Sequence, residues 1–365
     1  MRHQAKLKYI AACLLATLLL SGLIALMASG ALAGLQQKSK PASTDTAPAM
    51  AHGRGERAAK AREISYAVKH LKLAAKAGSL AAELQLGHLY ADGKGASKNY
   101  AEALLWYSRA AAEGSTPAMA RIGDLYRSGH GVKKNYRTAA GWYVRAIVHG
   151  GGNAKHLTAD LFAVCKQPSL SPALRASVLN KIRNAAVGGN ANAMYTMGAA
   201  RNGGVLAERS RTKALLWLRR AGRARCVPAM LYLAGRRYLM RLTPHQAPSE
   251  AAHDGKRAFY WFHRAALAGN TDAMLFASDG RIDGWGTGTK NFRAGLAWLR
   301  RAASLGQPVA MANIGDMYAF GELPRNYFKA LHWYKMASAA GAKKLAASDI
   351  KALNTMYRYG IFTKH

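Results

Sequence analysis

Along residues 60–365 apolar side chains recur at spacings of three and four, which places them on single helix faces, and the helical stretches come in pairs. The first helix of a pair opens on a small residue followed by an apolar stripe. Ala118-Met119-Ala120-Arg121-Ile122-Gly123-Asp124-Leu125-Tyr126 is the clearest copy, and Ala193-Met194, Ala229-Met230, Ala273-Met274 and Ala310-Met311 repeat its opening. The second helix carries an alanine, a tryptophan three residues on and an alanine four further, as in Ala103/Trp106/Ala110, Ala139/Trp142/Ala146 and Ala214/Trp217/Ala221. Small residues beside a tryptophan let neighbouring backbones approach while the indole fills the gap, so Trp142 is expected in the core. Turns bearing glycine, such as Gly93-Lys94-Gly95, Gly129-His130-Gly131 and Gly284-Trp285-Gly286, separate the two helices, which leaves Trp285 outside the frame.

Six of the seven tryptophans fall in that frame, Trp106, Trp142, Trp217, Trp261, Trp298 and Trp333, at gaps of 36, 75, 44, 37 and 35 residues. The double gap holds a degenerate unit, residues 151–189, with Lys181 at the tryptophan position and no glycine turn. Eight residues after the tryptophan stands a helix-ending glycine (Gly114, Gly150, Gly269, Gly306, Gly341), with Arg225 replacing it once. Glycine suits that place because the residue after a helix commonly turns left-handed. Self-similarity at such a period marks stacked helix-turn-helix units, none of which buries its apolar face alone. Residues 57–341 thus read as one half-unit and about seven units, and 342–365 as a closing helix.

The first 56 residues differ. Arg2, Lys6 and Lys8 precede an almost wholly apolar run at 10–27, no charge stands between Lys8 and Lys38, and Ala31-Leu32-Ala33 offers a small-x-small cleavage pattern. The run is near the lower length for crossing a bilayer and longer than most signal cores, so residues 1–35 read as a signal peptide or a membrane anchor. Residues 36–56 lose all periodicity and read as a flexible linker.

The succession Ala-Met-x-x-Ile-Gly-x-x-Tyr, Gly-x-Gly-Val and Ala-x-x-Trp-Tyr-x-Arg-Ala resembles the Sel1-like repeat, a relative of the tetratricopeptide repeat. Residues 118–150 match it almost throughout, 82–114 nearly as well, and the likeness covers about 300 residues. The resemblance implies an all-α fold, a right-handed α/α solenoid that serves as an adaptor for other proteins. Many bacterial members work in the envelope, as periplasmic regulators or parts of polysaccharide export systems. The denser positive charge on the N-terminal flank of the apolar run points the repeats to the same side. The expected location is therefore the periplasm, with the chain either released by cleavage or held in the inner membrane. Some secreted relatives pair cysteines within each repeat; Cys13, Cys165 and Cys226 do not form such a set.

Fifty-three Lys and Arg against 18 Asp and Glu give a net charge of +35, which speaks of anionic surroundings and not of fold. Half of the residues are hydrophobic, enough to exclude wholesale disorder. Chemistry is sparse: no HExxH motif occurs, the carboxylates are scattered, and the run Gly284–Lys290 lacks the ending and the preceding strand of a phosphate loop. His245, His253 and His263 gather near the longer turn at 242–256 without a Cys/His ligand spacing. No catalytic residue, cofactor or metal is expected.

Two surfaces remain. By analogy with tetratricopeptide grooves, lined mainly by first helices, Gln85, Arg121, Thr196, Tyr232, Phe276 and Asn313 are candidates for holding a protein partner. Three residues after each tryptophan stand Arg109, Arg145, Arg220, Arg264 and Arg301, a row suited to a polyanion. Leu73, Asn184 and Met336 interrupt that row, and the two apolar residues suggest a partly covered position. The leading expectation is a non-enzymatic envelope scaffold that binds protein. The alternative is a binder of acidic polysaccharide, cell-wall polymer or anionic lipid. Nucleic acid conflicts with an exported N-terminus and no nucleic-acid module is recognisable.

Overall fold

Most helices begin where a short polar side chain can satisfy the first free N–H groups, and most end where a glycine can turn left-handed. Ser115 Oγ accepts from Ala118 N at 3.4 Å and Asn135 Oδ1 from Thr138 N at 3.0 Å. Among the glycines foreseen as stops, Gly114 has φ +91° and Gly306 φ +82°, and Arg225 in the same place is forced to φ +64°.

The computed structural model describes residues 66–93, 97–151, 153–241, 247–320 and 322–358. The expected signal or anchor, the linker and the end of the closing segment lie outside these residues. Among the described residues there are sixteen helices and no strand. They are α1 (66–76), α2 (Leu80–Asp92), α3 (Tyr100–Ala112), α4 (Thr116–Ser128), α5 (Tyr136–His149), α6 (Ala154–Cys165), α7 (Pro172–Val187) and α8 (Ala191–Gly203). There follow α9 (Arg211–Arg223), α10 (Val227–Arg241), α11 (Pro248–Leu267), α12 (Thr271–Ile282), α13 (Phe292–Ser304), α14 (Pro308–Phe320), α15 (Tyr327–Ala339) and α16 (Lys343–Arg358). All of them belong to one compact unit, Ser65–His365. None is long and apolar enough to cross a membrane.

From α2 onward each helix packs on the next in chain order, so the core runs along the stack instead of gathering at a centre. The one interruption is between α6 and α7, the degenerate unit. These two helices pack on α5 before them and α8 after them, and hardly on each other. Core continuity survives, because Ile147 of α5, Val178 and Ile182 of α7 and Met197 of α8 share one cluster. At the far end α16 occupies the place of a further first helix, burying Ala346 and Leu353 against α15.

Candidate functional site

Within a unit the closest approach is made by the residue after the tryptophan. Tyr107, Tyr143, Leu218, Phe262, Leu299 and Tyr334 are each at most 2 % exposed. Glycine on the facing first helix makes room in four of these units, with Ala234 and Ser278 in the others: a methyl group on Gly123 would lie 2.8 Å from Tyr143, on Gly198 2.6 Å from Leu218, and on Gly315 2.7 Å from Tyr334. The next residue then takes the phenol. Tyr143 Oη donates to Asp124 Oδ1 at 2.8 Å and Tyr334 Oη to Asp316 Oδ1 at 2.7 Å. Burial, reinforced by the Asp124 charge, pushes the Tyr143 hydroxyl far above its usual range. Arg127 holds Asp124 at 3.1 Å and reaches Asp160 of the following unit at 3.7 Å. Sequence reasoning passed over these pairs, although each Gly-Asp followed by a tyrosine 18 or 19 residues on was visible.

The tryptophans stand one step out from the core, which corrects the expected register. Trp106 is 6 % exposed, but Trp142, Trp217, Trp261, Trp298 and Trp333 are half-buried. Several indoles serve the joint between units. Trp106 clusters with Ala75 of α1, and a methyl group on Gly222 of α9 would lie 2.8 Å from Trp261. Ala75 and Gly222 occupy one position, five residues past the tryptophan site of the preceding unit. The same position is Ala111, Ala186, Ala266 and Ala303 elsewhere. It is Ile147 only where the next unit has no tryptophan. Trp285 also departs from expectation: it is half-buried, edge-on to Tyr238 at 5.2 Å and to Phe259 at 6.2 Å.

The arginine row lies on the outer side of those indoles. Guanidinium carbons sit over the rings at 5.0 Å (Arg109 on Trp106), 5.2 Å (Arg145 on Trp142), 5.2 Å (Arg220 on Trp217), 5.8 Å (Arg264 on Trp261) and 5.6 Å (Arg301 on Trp298). A cation over an aromatic face gains roughly 0.5–1 kcal/mol at exposed sites and keeps both its charge and its N–H donors. Arg109, Arg145, Arg220 and Arg301 are exposed; Arg264 is half-buried and donates to Tyr260 Oη at 3.0 Å and Arg223 O at 3.3 Å. Among the described residues none of the five is in an ion pair. Leu73 and Met336, at the same position, are 54 % and 38 % exposed, so the position is open and not covered as their character suggested.

The first-helix candidates divide. Gln85 and Arg121 are exposed, and Tyr232 and Asn313 half-buried. Thr196 and Phe276 are buried. Thr196 Oγ1 donates to Asn192 O at 2.9 Å and lies 2.8 Å from Thr158 Oγ1, whereas Phe276 stacks on Phe262 with centroids 4.3 Å apart. The helix position is the same; residues of the preceding unit, Thr158 and Phe262, cover these two copies. Arg121 reaches Asp124 at 3.5 Å, and Tyr232 Oη donates to Asn202 Oδ1 at 3.2 Å.

Reactive side chains do not converge. Cys165 and Cys226 are buried free thiols, both pushed up to about 11 by burial. His263 is half-buried against Phe259 and edge-on to Trp298, held below its usual range by burial and Arg281, while His253 is exposed and His245 lies outside the described residues. No group of three or more His, Cys, Asp or Glu is placed to hold a metal among the described residues. Gly284–Lys290 is the turn between α12 and α13, closed by Gly288 N on Gly284 O at 2.7 Å.

The family model described as Sel1 repeat matches residues 47–79, 80–115, 116–147, 191–225, 227–270, 272–307 and 308–341. It passes over the degenerate unit and begins inside the segment read as a linker. Among solved structures, a Sel1 repeat protein from Oxalobacter formigenes is 25% identical over 78% of this chain and 95% of its own, at a TM-score of 0.40. A protective antigen of uropathogenic Escherichia coli with an SLR fold is 22% identical over 80% of this chain and 68% of its own, at a TM-score of 0.32. No similar curated protein is found.

Proposed function

Because the chain belongs to the Sel1 repeat family, we propose that it is a non-enzymatic scaffold of the bacterial cell envelope that holds another protein against its first helices. The observation behind this reading is the variety of open side chains at one helical position: an amide at Gln85, a cation at Arg121, a phenol at Tyr232 and a second amide at Asn313. Chemistry that changes from unit to unit suits a partner whose own surface changes along its length. The apolar N-terminal run supports the location.

The test joins crosslinking in intact cells to substitution. A protein captured by the wild-type chain is expected to be lost from Arg121→Ala/Tyr232→Ala/Asn313→Ala with helical content retained, and kept by Arg109→Ala/Arg145→Ala/Arg220→Ala. The opposite pattern would place the partner on the second helices. N-terminal sequencing of the cellular protein decides the leader: a start at Gly34 means cleavage, an intact terminus an anchor. Recovery in the cytosol would remove the envelope from this reading.

The exposed arginine row favours a second reading, contact with an anion along the second helices. Steep loss of binding with salt marks that mode.

A further inference from the structure

The arginines do not stand alone on their face. Helix geometry places the residue before the tryptophan and the residues three and six after it within one narrow arc. The residue before it includes Leu105, Leu216 and Tyr260, 48 %, 49 % and 51 % exposed. The residue six after it includes Val148 and Leu267, 41 % and 55 % exposed. Exposed large apolar side chains among the described residues fall mostly on second helices, α1 included, and few on first helices. No carboxylate occupies any of these three positions in the six units that carry a tryptophan. Arginine and apolar side chains therefore alternate along an acid-free stripe.

The arginine recurs in five of the six tryptophan units, unlike any residue at the first-helix position, and a repeated cation fits a partner uniform along its length. Two partners of that kind are an acidic polymer and an anionic bilayer. Guanidinium groups suit both, but solvent-exposed Leu and Val gain nothing from a hydrated polysaccharide. At a bilayer they reach the boundary between headgroups and acyl chains while the arginines hold phosphates. We propose that the outer face of the second helices is a docking surface for an anionic lipid bilayer. This rests on the second reading above and names its ligand.

All seven tryptophans lie between residues 106 and 333, five of them directly beneath this row, so their fluorescence reports on the repeats and not on the N-terminal run. The experiment adds the purified full-length protein to vesicles carrying nitroxide-labelled headgroups, made of phosphatidylcholine alone or with about one part in three phosphatidylglycerol. Quenching is expected on the anionic vesicles only, and is reversed by about 0.5 M salt. Arg109→Gln/Arg145→Gln/Arg220→Gln should lower partition about a hundredfold, near fivefold for each cation. Leu105→Ser/Leu216→Ser/Tyr260→Ser should weaken vesicle binding and leave binding to soluble polygalacturonate unchanged. Equal quenching on neutral vesicles, or none on anionic ones, overturns the proposal. Binding of polygalacturonate without quenching on vesicles also overturns it and leaves the second reading standing, and capture of a protein on the first helices is independent of either result.

Discussion

Glu83 occupies the place where Met119, Met194, Met230, Met274 and Met311 stand in other units. It is 4 % exposed, and its Oε2 has no hydrogen-bond partner among the described residues. Burial raises its pKa above the ordinary 4.5, with Glu113 adding to the effect and Arg109 opposing it. An acid raised on folding is protonated in both states at low pH; as pH climbs past the unfolded value toward the folded one, the unfolded chain ionises first and stability falls. Glu83→Met should therefore stabilise by about 1–2 kcal/mol near pH 7, the usual penalty of an unpartnered buried acceptor, and the gain should shrink below about pH 4. Denaturant unfolding at the two pH values checks both signs. Arg225 carries a different strain, a side chain at φ +64° where neighbouring units have glycine. Arg225→Gly should gain about 1 kcal/mol in the same assay, since the left-handed turn disfavours a β-carbon by roughly that amount. This residue was legible from sequence alone, because the period fixes the stop and the stop demands a left-handed turn.

At the scale of the helix pair, the period recurs for two adjacent large residues, and recurrence does not say which faces inward. Trp142 and Tyr143 lie about 100° apart on one helix, and the tryptophan, being the rarer, draws attention. The deciding signal is on the partner helix: Gly123 leaves space for a ring, and Asp124 accepts its hydroxyl. Tyr143→Ala should therefore cost about 3–5 kcal/mol, and Trp142→Ala clearly less, by the large-to-small penalty scaled to burial. Trp285→Ala, half-buried among Tyr238 and Phe259, should fall near Trp142→Ala. Thermal unfolding of the three variants would refute the register if Trp142→Ala proved the most damaging. The covered copies at Thr196 and Phe276 were beyond sequence reading for a related reason: they depend on contacts with the preceding unit, Thr158 and Phe262.

Across the whole molecule, stability is a sum over units and joints, since each helix meets helices of its own unit and of the units beside it. Deleting α16 uncovers Ala330, Tyr334 and Ala319, which share its cluster. Hydrogen exchange should then quicken in α14 and α15 and stay unchanged in α3 to α5, many joints away. Loss of protection throughout would show instead a single cooperative block. The stack as a class was plain from the spacing of tryptophans. The loose joint between α6 and α7 was not, because a missing glycine turn announces a changed unit without saying how its helices repack.

The joint residue five places beyond each tryptophan site gives the units an order of succession. Alanine or glycine there admits any following unit that presents an indole, so unequal crossing-over among such units leaves joints that close. Ile147 stands before a unit that presents no indole. Excising residues 151–189 would bring the unit of Trp217 against Ile147, and the shortened chain should accept that cut only when Ile147→Ala travels with it. The degenerate unit is thus matched to its predecessor, and the pair would be inherited, duplicated or lost together.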